Sequence, residues 1–173
     1  MKKVLVVIDC QNDFIDAALG TKEAAAAVDA VVKKIETYPR EDVFATRDTH
    51  ETNYSETREG RFLPVVHCVK GTNGWEINGR VKAALGDATI IDKPTFGSEE
   101  LVNTIKKRYA GEDIAIELIG FCTDICVISN ALMLKAAFYE SDITVDSACC
   151  AGVTPKLHEE ALDVMKSCQI VVK

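Results

Sequence analysis

Ile114-Ala115-Ile116-Glu117-Leu118-Ile119-Gly120-Phe121-Cys122-Thr123-Asp124-Ile125-Cys126-Val127 changes structural period halfway along. Ile114, Ala115, Ile116, Leu118 and Ile119 form a short apolar run, the pattern of a buried strand. Gly120 interrupts it. A helical spacing begins near Asp124 or Ile125 and continues through Leu132 and Leu134. The segment therefore predicts a strand, a tight turn, and a helix N-terminus with Cys126 in its first turn. The positive end of a helix dipole lowers a thiol pKa and makes the thiolate available as a nucleophile. The plain alternative for Cys126 is a small buried hydrophobe, the usual fate of a free cysteine.

The same alternation extends outward in both directions. Residues 3 to 9 predict an apolar strand ending in a carboxylate, Asp9. Thr21 to Thr37 predicts an amphipathic helix capped by Thr21, with Ala24, Val28, Val31 and Ile35 on one face. Val43 to Thr46 and Thr89 to Ile91 predict short strands. Trp75 to Leu85 predicts a helix, and Ser98 caps another that runs to Lys107 or Arg108. Ile143 to Val145 predicts a fifth strand, followed by a loop of small residues from Ala148 to Thr154. Thr154-Pro155 opens a helix to about Ser167, and Gln169 to Val172 closes as a sixth strand. Arg47 to Gly74 holds no period for long. A loop of that length in a compact domain is usually functional. Strands alternating with helices predict one α/β domain over residues 1–173, with a mostly parallel sheet covered on both faces.

Composition narrows the class. A 47% hydrophobic fraction in 173 residues excludes a disordered chain and supplies a sizeable core. No apolar run reaches the length of a membrane span. The opening Met1 to Asp9 has two lysines and a short apolar run but no small-residue cleavage site, so it reads as a first strand, not an export signal. A net charge of −7 argues against nucleic acid or an anionic membrane as partner. Seven cysteines with no export signal predict reduced thiols and a cytoplasmic location. Their spacing matches no structural zinc knuckle.

In parallel sheets the ligand crevice lies at the carboxyl ends of the strands. Those ends carry Asp9, then Asp48 and His50, then Lys93, then Cys122 to Cys126. A carboxylate, an amine and a thiol at three strand ends can converge on one pocket. Taken singly, Asp9 also suits a loop cap and Lys93 a solvated loop.

Val7-Ile8-Asp9-Cys10-Gln11-Asn12-Asp13-Phe14 resembles the opening motif of the isochorismatase-like cysteine hydrolases, which include the nicotinamidases. Thr46-Arg47-Asp48-Thr49-His50, Leu63 to Thr72, Lys93-Pro94-Thr95-Phe96-Gly97-Ser98 and Gly120 to Val127 resemble that family's later blocks, in its order. Asp146 to Gly152 and the helix after it fit as well, so the resemblance spans essentially the whole chain. It implies a three-layer α/β/α fold with a six-stranded sheet and a triad of Asp9, Lys93 and Cys126. In that chemistry the thiolate attacks an amide carbonyl, ammonia leaves, and water cleaves the thioester. The resemblance also implies an oxyanion hole of the Cys122 and Cys126 backbone N–H groups, and a cis peptide at Phe121–Cys122. Cys122 then contributes an amide; the competing reading is a Cys122–Cys126 redox pair.

Asp48, His50 and His67 match positions that hold a divalent metal in nicotinamidases, where the metal binds the pyridine nitrogen of the substrate. Zinc heads the candidates, with iron and manganese as alternatives. Many nicotinamidases have a further histidine soon after the position of His50. This chain lacks it, and Glu59, or else Glu56, is expected to replace it. The alternative is a hydrogen-bonded loop without metal. His158, in the last helix, is expected in solvent. By the same resemblance Phe14, Leu63 and Phe96 line a flat pocket for an aromatic ring, although Phe14 also suits the core. The implied reaction is hydrolysis of a small amide, nicotinamide to nicotinate plus ammonia, by a homodimer or larger assembly. The other readings are a carbamoyl or vinyl-ether hydrolase of the same family, and a non-enzymatic thiol or metal sensor.

Overall fold

A computed structural model describes residues 1–173. Its centre is the strand β1, Lys2–Ile8. Successive side chains of a strand point to opposite faces. Leu5 and Val7 accordingly enter one apolar cluster, while Val4, Val6 and Ile8 enter a second. Each cluster is roofed by helices. The first packs under α2 (Lys22–Glu36), whose buried Ala24, Ala27, Val28, Val31 and Ile35 form one stripe, and under α4 (Gly79–Leu85). The second packs under α5 (Glu99–Arg108), α6 (Ile128–Ala137) and α7 (Pro155–Ser167). Two short helices, α1 (Asn12–Ile15) and α3 (Arg58–Phe62), lie in the loops.

Local sequence fixes where the long helices begin. The Thr21, Ser98 and Thr154 side chains accept hydrogen bonds from the N–H groups of Ala24, Leu101 and Leu157. These satisfy donors that helix starts leave unpaired. Glu99 and Glu100 open α5 and Lys106, Lys107 and Arg108 close it, each sign facing the favourable end of the dipole.

The remaining strands are β2 (Val43–Asp48), β3 (Thr89–Lys93), β4 (Ile114–Phe121), β5 (Ile143–Ala151) and β6 (Val171–Val172). They lie in the order β3-β2-β1-β4-β5-β6, every pair parallel. The chain builds outward from β1 to β3, then returns to lay β4 on the other side of β1. The crevice of such a sheet opens where that direction reverses, at the carboxyl ends of β1 and β4. The sheet is thus all-parallel where the sequence predicted a mostly parallel one.

Several boundaries differ from expectation. β2 and β3 extend past Thr46 and Ile91, and their register sets Asp48 directly beside Lys93. Ala148 to Ala151 form strand instead of loop. After a register shift between Leu118 and Gly120, Cys150 pairs opposite Gly120 and Ala151 opposite Phe121. Small side chains read as loop in sequence; here they fit against a neighbouring strand that has a glycine at its bend. The helix predicted from Trp75 starts only at Gly79, because Trp75 and Ile77 are buried and Ile77 bridges Gln11. The long loop is not structureless: it contains a 3₁₀ turn, Tyr54–Glu56, and α3 capped by Thr57. The peptide between Phe121 and Cys122 is cis.

Gly120 has φ of +122°, and a Cβ there would run into the Ile8 carbonyl oxygen. Both effects penalise any side chain. Gly120→Ala is expected to destabilise the protein by about 3 kcal/mol, read as a lower midpoint in urea unfolding; an unchanged midpoint would refute this account of the bend.

Candidate active site

Asp9 leaves β1 at the reversal point, fully buried, with φ of +45°. Its Oδ1 accepts from the Thr46 hydroxyl at 2.6 Å, and its Oδ2 lies 2.7 Å from Lys93 Nζ. That contact is a fully buried ion pair. Lys93, 1% exposed, donates to the Thr95 carbonyl at 3.0 Å and to Cys126 Sγ at 3.5 Å. Asp48 Oδ1 is 3.7 Å away on the adjacent strand. The three predicted triad residues therefore meet, although they come from strand ends far apart in sequence.

Burial would favour neutral lysine, but Asp9, Cys126 and Asp48 together raise the Lys93 pKa and keep the ammonium charged. Burial raises the Asp9 carboxyl, opposed by Lys93. Burial also raises Cys126 well above the ordinary thiol value, Asp9 adding to it and Lys93 opposing. Burial opposes the expected helix-dipole activation. Cys126 sits not in a regular first turn but in a π-helical turn, Thr123–Val127, and burial outweighs the dipole. Burial thus favours the neutral thiol at Cys126.

Cys122 precedes that turn. Its carbonyl accepts from the Ile125 and Val127 N–H groups at 3.1 and 3.0 Å, while its own N–H has no acceptor within the fold. Burial, then Asp124, push its thiol up to about 12. That chemistry favours the amide role over a redox partner.

Beside the triad, Asp48, His50, Glu59 and His67 bring four ligand-type atoms within 4.8 Å of one another. His50 Nε2 lies 3.0 Å from Asp48 Oδ2 and 3.5 Å from Glu59 Oε1, yet hydrogen-bonds neither and is otherwise buried. His67 Nδ1 lies 2.8 Å from the Val65 carbonyl. A carbonyl only accepts, so Nδ1 carries the proton and Nε2 faces the same point as His50. Donors converging on a point, instead of on one another, fit a bound cation. Burial depresses His50, but Asp48 and Glu59 outweigh it and lift it to about 9. Burial raises Asp48, but the two histidines and Lys93 outweigh it and hold the carboxylate well below its usual range. Glu59 reaches this cluster; Glu56 is exposed and outside it.

Phe14, Leu63 and Phe96 all line one cavity of about 390 Å³ that also reaches Asp48, Glu59, His67, Cys122 and Cys126. Phe14 serves twice, since it is also in the core and meets His67 edge-on at 5.6 Å between ring centres.

Three supporting residues had no role in the sequence reading. Gln11 accepts from the Asp48 N–H and donates to the Asp48 and Trp75 carbonyls, holding the end of β2. Asp13 accepts from the Cys68 N–H, anchoring the His67 segment. Asn130 donates to the carbonyls of Cys126 and Phe96 and accepts from the Ser98 N–H. A polar residue four positions after Cys126 on a helix was the signal for it.

The sequence profile of the isochorismatase domain matches residues 3–173. The chain belongs to the isochorismatase family. Among solved structures, a nicotinamidase/pyrazinamidase from Bacillus subtilis superposes on this family member with a TM-score of 0.82 at 26% identity, covering 99% of each chain. A Pyrococcus horikoshii pyrazinamidase in complex with zinc gives 0.78 at 27%, covering 100% of this chain and 99% of that one. The N-carbamoylsarcosine amidase of Thermoplasma acidophilum gives 0.79 at 28%, covering 100% and 96%.

A thiol held protonated by burial alkylates faster as pH rises. Peptide-resolved iodoacetamide labelling of Cys126 is expected to climb without a plateau up to pH 9.0, the ordinary thiol value. A plateau near neutral pH would show a resting thiolate instead.

Proposed function

We propose that the chain is a cysteine amidohydrolase that cleaves the carboxamide of a small aromatic heterocycle, nicotinamide to nicotinate and ammonia. One observation carries the reading: Cys126, the thiol of a buried thiol–carboxylate–ammonium set, lines an apolar cavity together with Asp48, Glu59 and His67, three of four residues whose metal-ligand atoms converge. Family membership and the amidases among its structural neighbours support the class.

Asp9 takes the Cys126 proton as sulfur attacks the amide carbon. Lys93 holds its charge against both groups, so the proton transfer does not leave an uncompensated buried anion. The N–H groups of Cys122 and Cys126 receive the oxyanion, and that of Cys122 has no competing acceptor. Collapse breaks the C–N bond, and Asp9 returns the proton to departing ammonia. Asp9 then accepts a proton from the water that attacks the thioester and returns it to the Cys126 sulfur as the C–S bond breaks; the acid leaves and ionises to the carboxylate. Asp48, His50, Glu59 and His67 would hold a divalent cation, zinc by analogy with the P. horikoshii neighbour. When bound there, such an ion would supply a Lewis acid for a ring nitrogen of the substrate. Phe14, Leu63 and Phe96 flank the ring. This lining favours a flat heterocycle over the open-chain carbamoyl substrate named for the T. acidophilum enzyme.

Ammonia release from a panel of small amides, nicotinamide, pyrazinamide and N-carbamoyl amino acids included, decides the substrate. Preference for the carbamoyl compounds would replace the nicotinamide reading. Cys126→Ala is expected to abolish release while circular dichroism stays native; retained activity would overturn the mechanism. Glu59→Ala is expected to weaken zinc binding by more than the roughly 10–100-fold typical of an outer-shell change, measured by chelator competition. Undiminished affinity would remove Glu59 from the ligand set.

A further inference from the structure

We propose that His158 is a positioning residue that fixes the catalytic turn through the hydroxyl of Thr123. His158 Nδ1 lies 2.8 Å from Thr123 Oγ1. Thr123 is fully buried, and Oγ1 has no other hydrogen-bond partner. If Nδ1 donated, the hydroxyl proton would be buried without an acceptor, a penalty larger than the bond is worth. Thr123 therefore donates to an unprotonated Nδ1, and the ring carries its proton on Nε2. The imidazole is half-buried, contrary to the expectation that it lies in solvent.

The surrounding contacts show what this bond holds. Thr123 stands between Cys122, whose N–H is the proposed oxyanion donor, and the π-helical turn that presents Cys126. The next residue, Asp124, accepts from the Val153 N–H at 2.9 Å. Between these ties lies Gly152, where a Cβ would come within 2.8 Å of Asp124 Oδ1 and 2.9 Å of the His158 backbone nitrogen. The start of α7 and the segment leading into it thus grip the catalytic turn from outside by the His158 side chain, the Val153 amide and the close approach of Gly152. Hydrogen-bond strength falls steeply with misalignment, and a donor serving only the transition state is most sensitive to small rotations. His158 is not part of the cavity lining, so it acts on the turn and not on the bound ring.

The proposal rests on the Cys126 amidohydrolase reading, and wild-type turnover of an amide in the same assay tests that reading separately. His158→Ala and Thr123→Val are each expected to lower kcat about tenfold, the size of one net hydrogen bond, with KM unchanged. The double variant should be no slower than the worse single one, because both remove the same bond. His158→Asn, which can place an amide oxygen near Nδ1, should restore most of kcat. Multiplying losses in the double variant, an effect confined to KM, or no rescue by Asn would each overturn the proposal. The ¹⁵N shifts of the His158 ring read the tautomer without any substrate. If His158→Ala fails to fold, the Thr123→Val and His158→Asn pair decides, with Nδ1 found protonated in the wild type counting against the proposal.

Discussion

Lys93 carries a positive charge into a place where water does not reach. Its ammonium touches Asp9, Cys126 and the Thr95 carbonyl, with Asp48 just beyond. Removing one partner from a buried pair leaves a charge uncompensated, at a cost of about 3–5 kcal/mol. The cluster therefore behaves as a unit. The same ammonium pairs with the Asp9 carboxylate, approaches the Cys126 sulfur and faces Asp48 of the neighbouring ligand-type cluster.

Much of this was legible in the amino-acid order. A strand of consecutive apolar residues is one buried on both faces, and the polar residue ending it marks the crevice. That logic found Asp9, Asp48, His50, Lys93 and the Cys122 to Cys126 turn, and the resemblance singled out Asp9, Lys93 and Cys126 as a triad and added Glu59 and His67 to the ligand set. It failed where side-chain size misleads. Ala148 to Ala151 look like a loop, yet their small side chains are what allow β5 to continue beside Gly120. It failed again at Asn130 and His158, whose partners are brought near only by packing of α6 and α7. Spacing reports what one element can present; it does not report which distant hydroxyl will face it.

The thiol shows two principles in competition. A helix N-terminus favours a thiolate, and the sequence places Cys126 near one. Desolvation favours the thiol, and at 4% exposure it prevails. A buried neutral thiol is also a poor target for oxidants, which react with the thiolate.

The central pairing has a further consequence for how the protein comes into being. β1 lies against β4 with residue 2 opposite residue 114. Contacts so distant in the chain form slowly, because a long loop must close before they give any return. Asp9 is at the start of the polypeptide and Cys126 is far along it, so no nascent fragment that ends before β4 holds both. Asp9 and Cys126 meet only when β4 has paired beside β1, across the middle of the sheet.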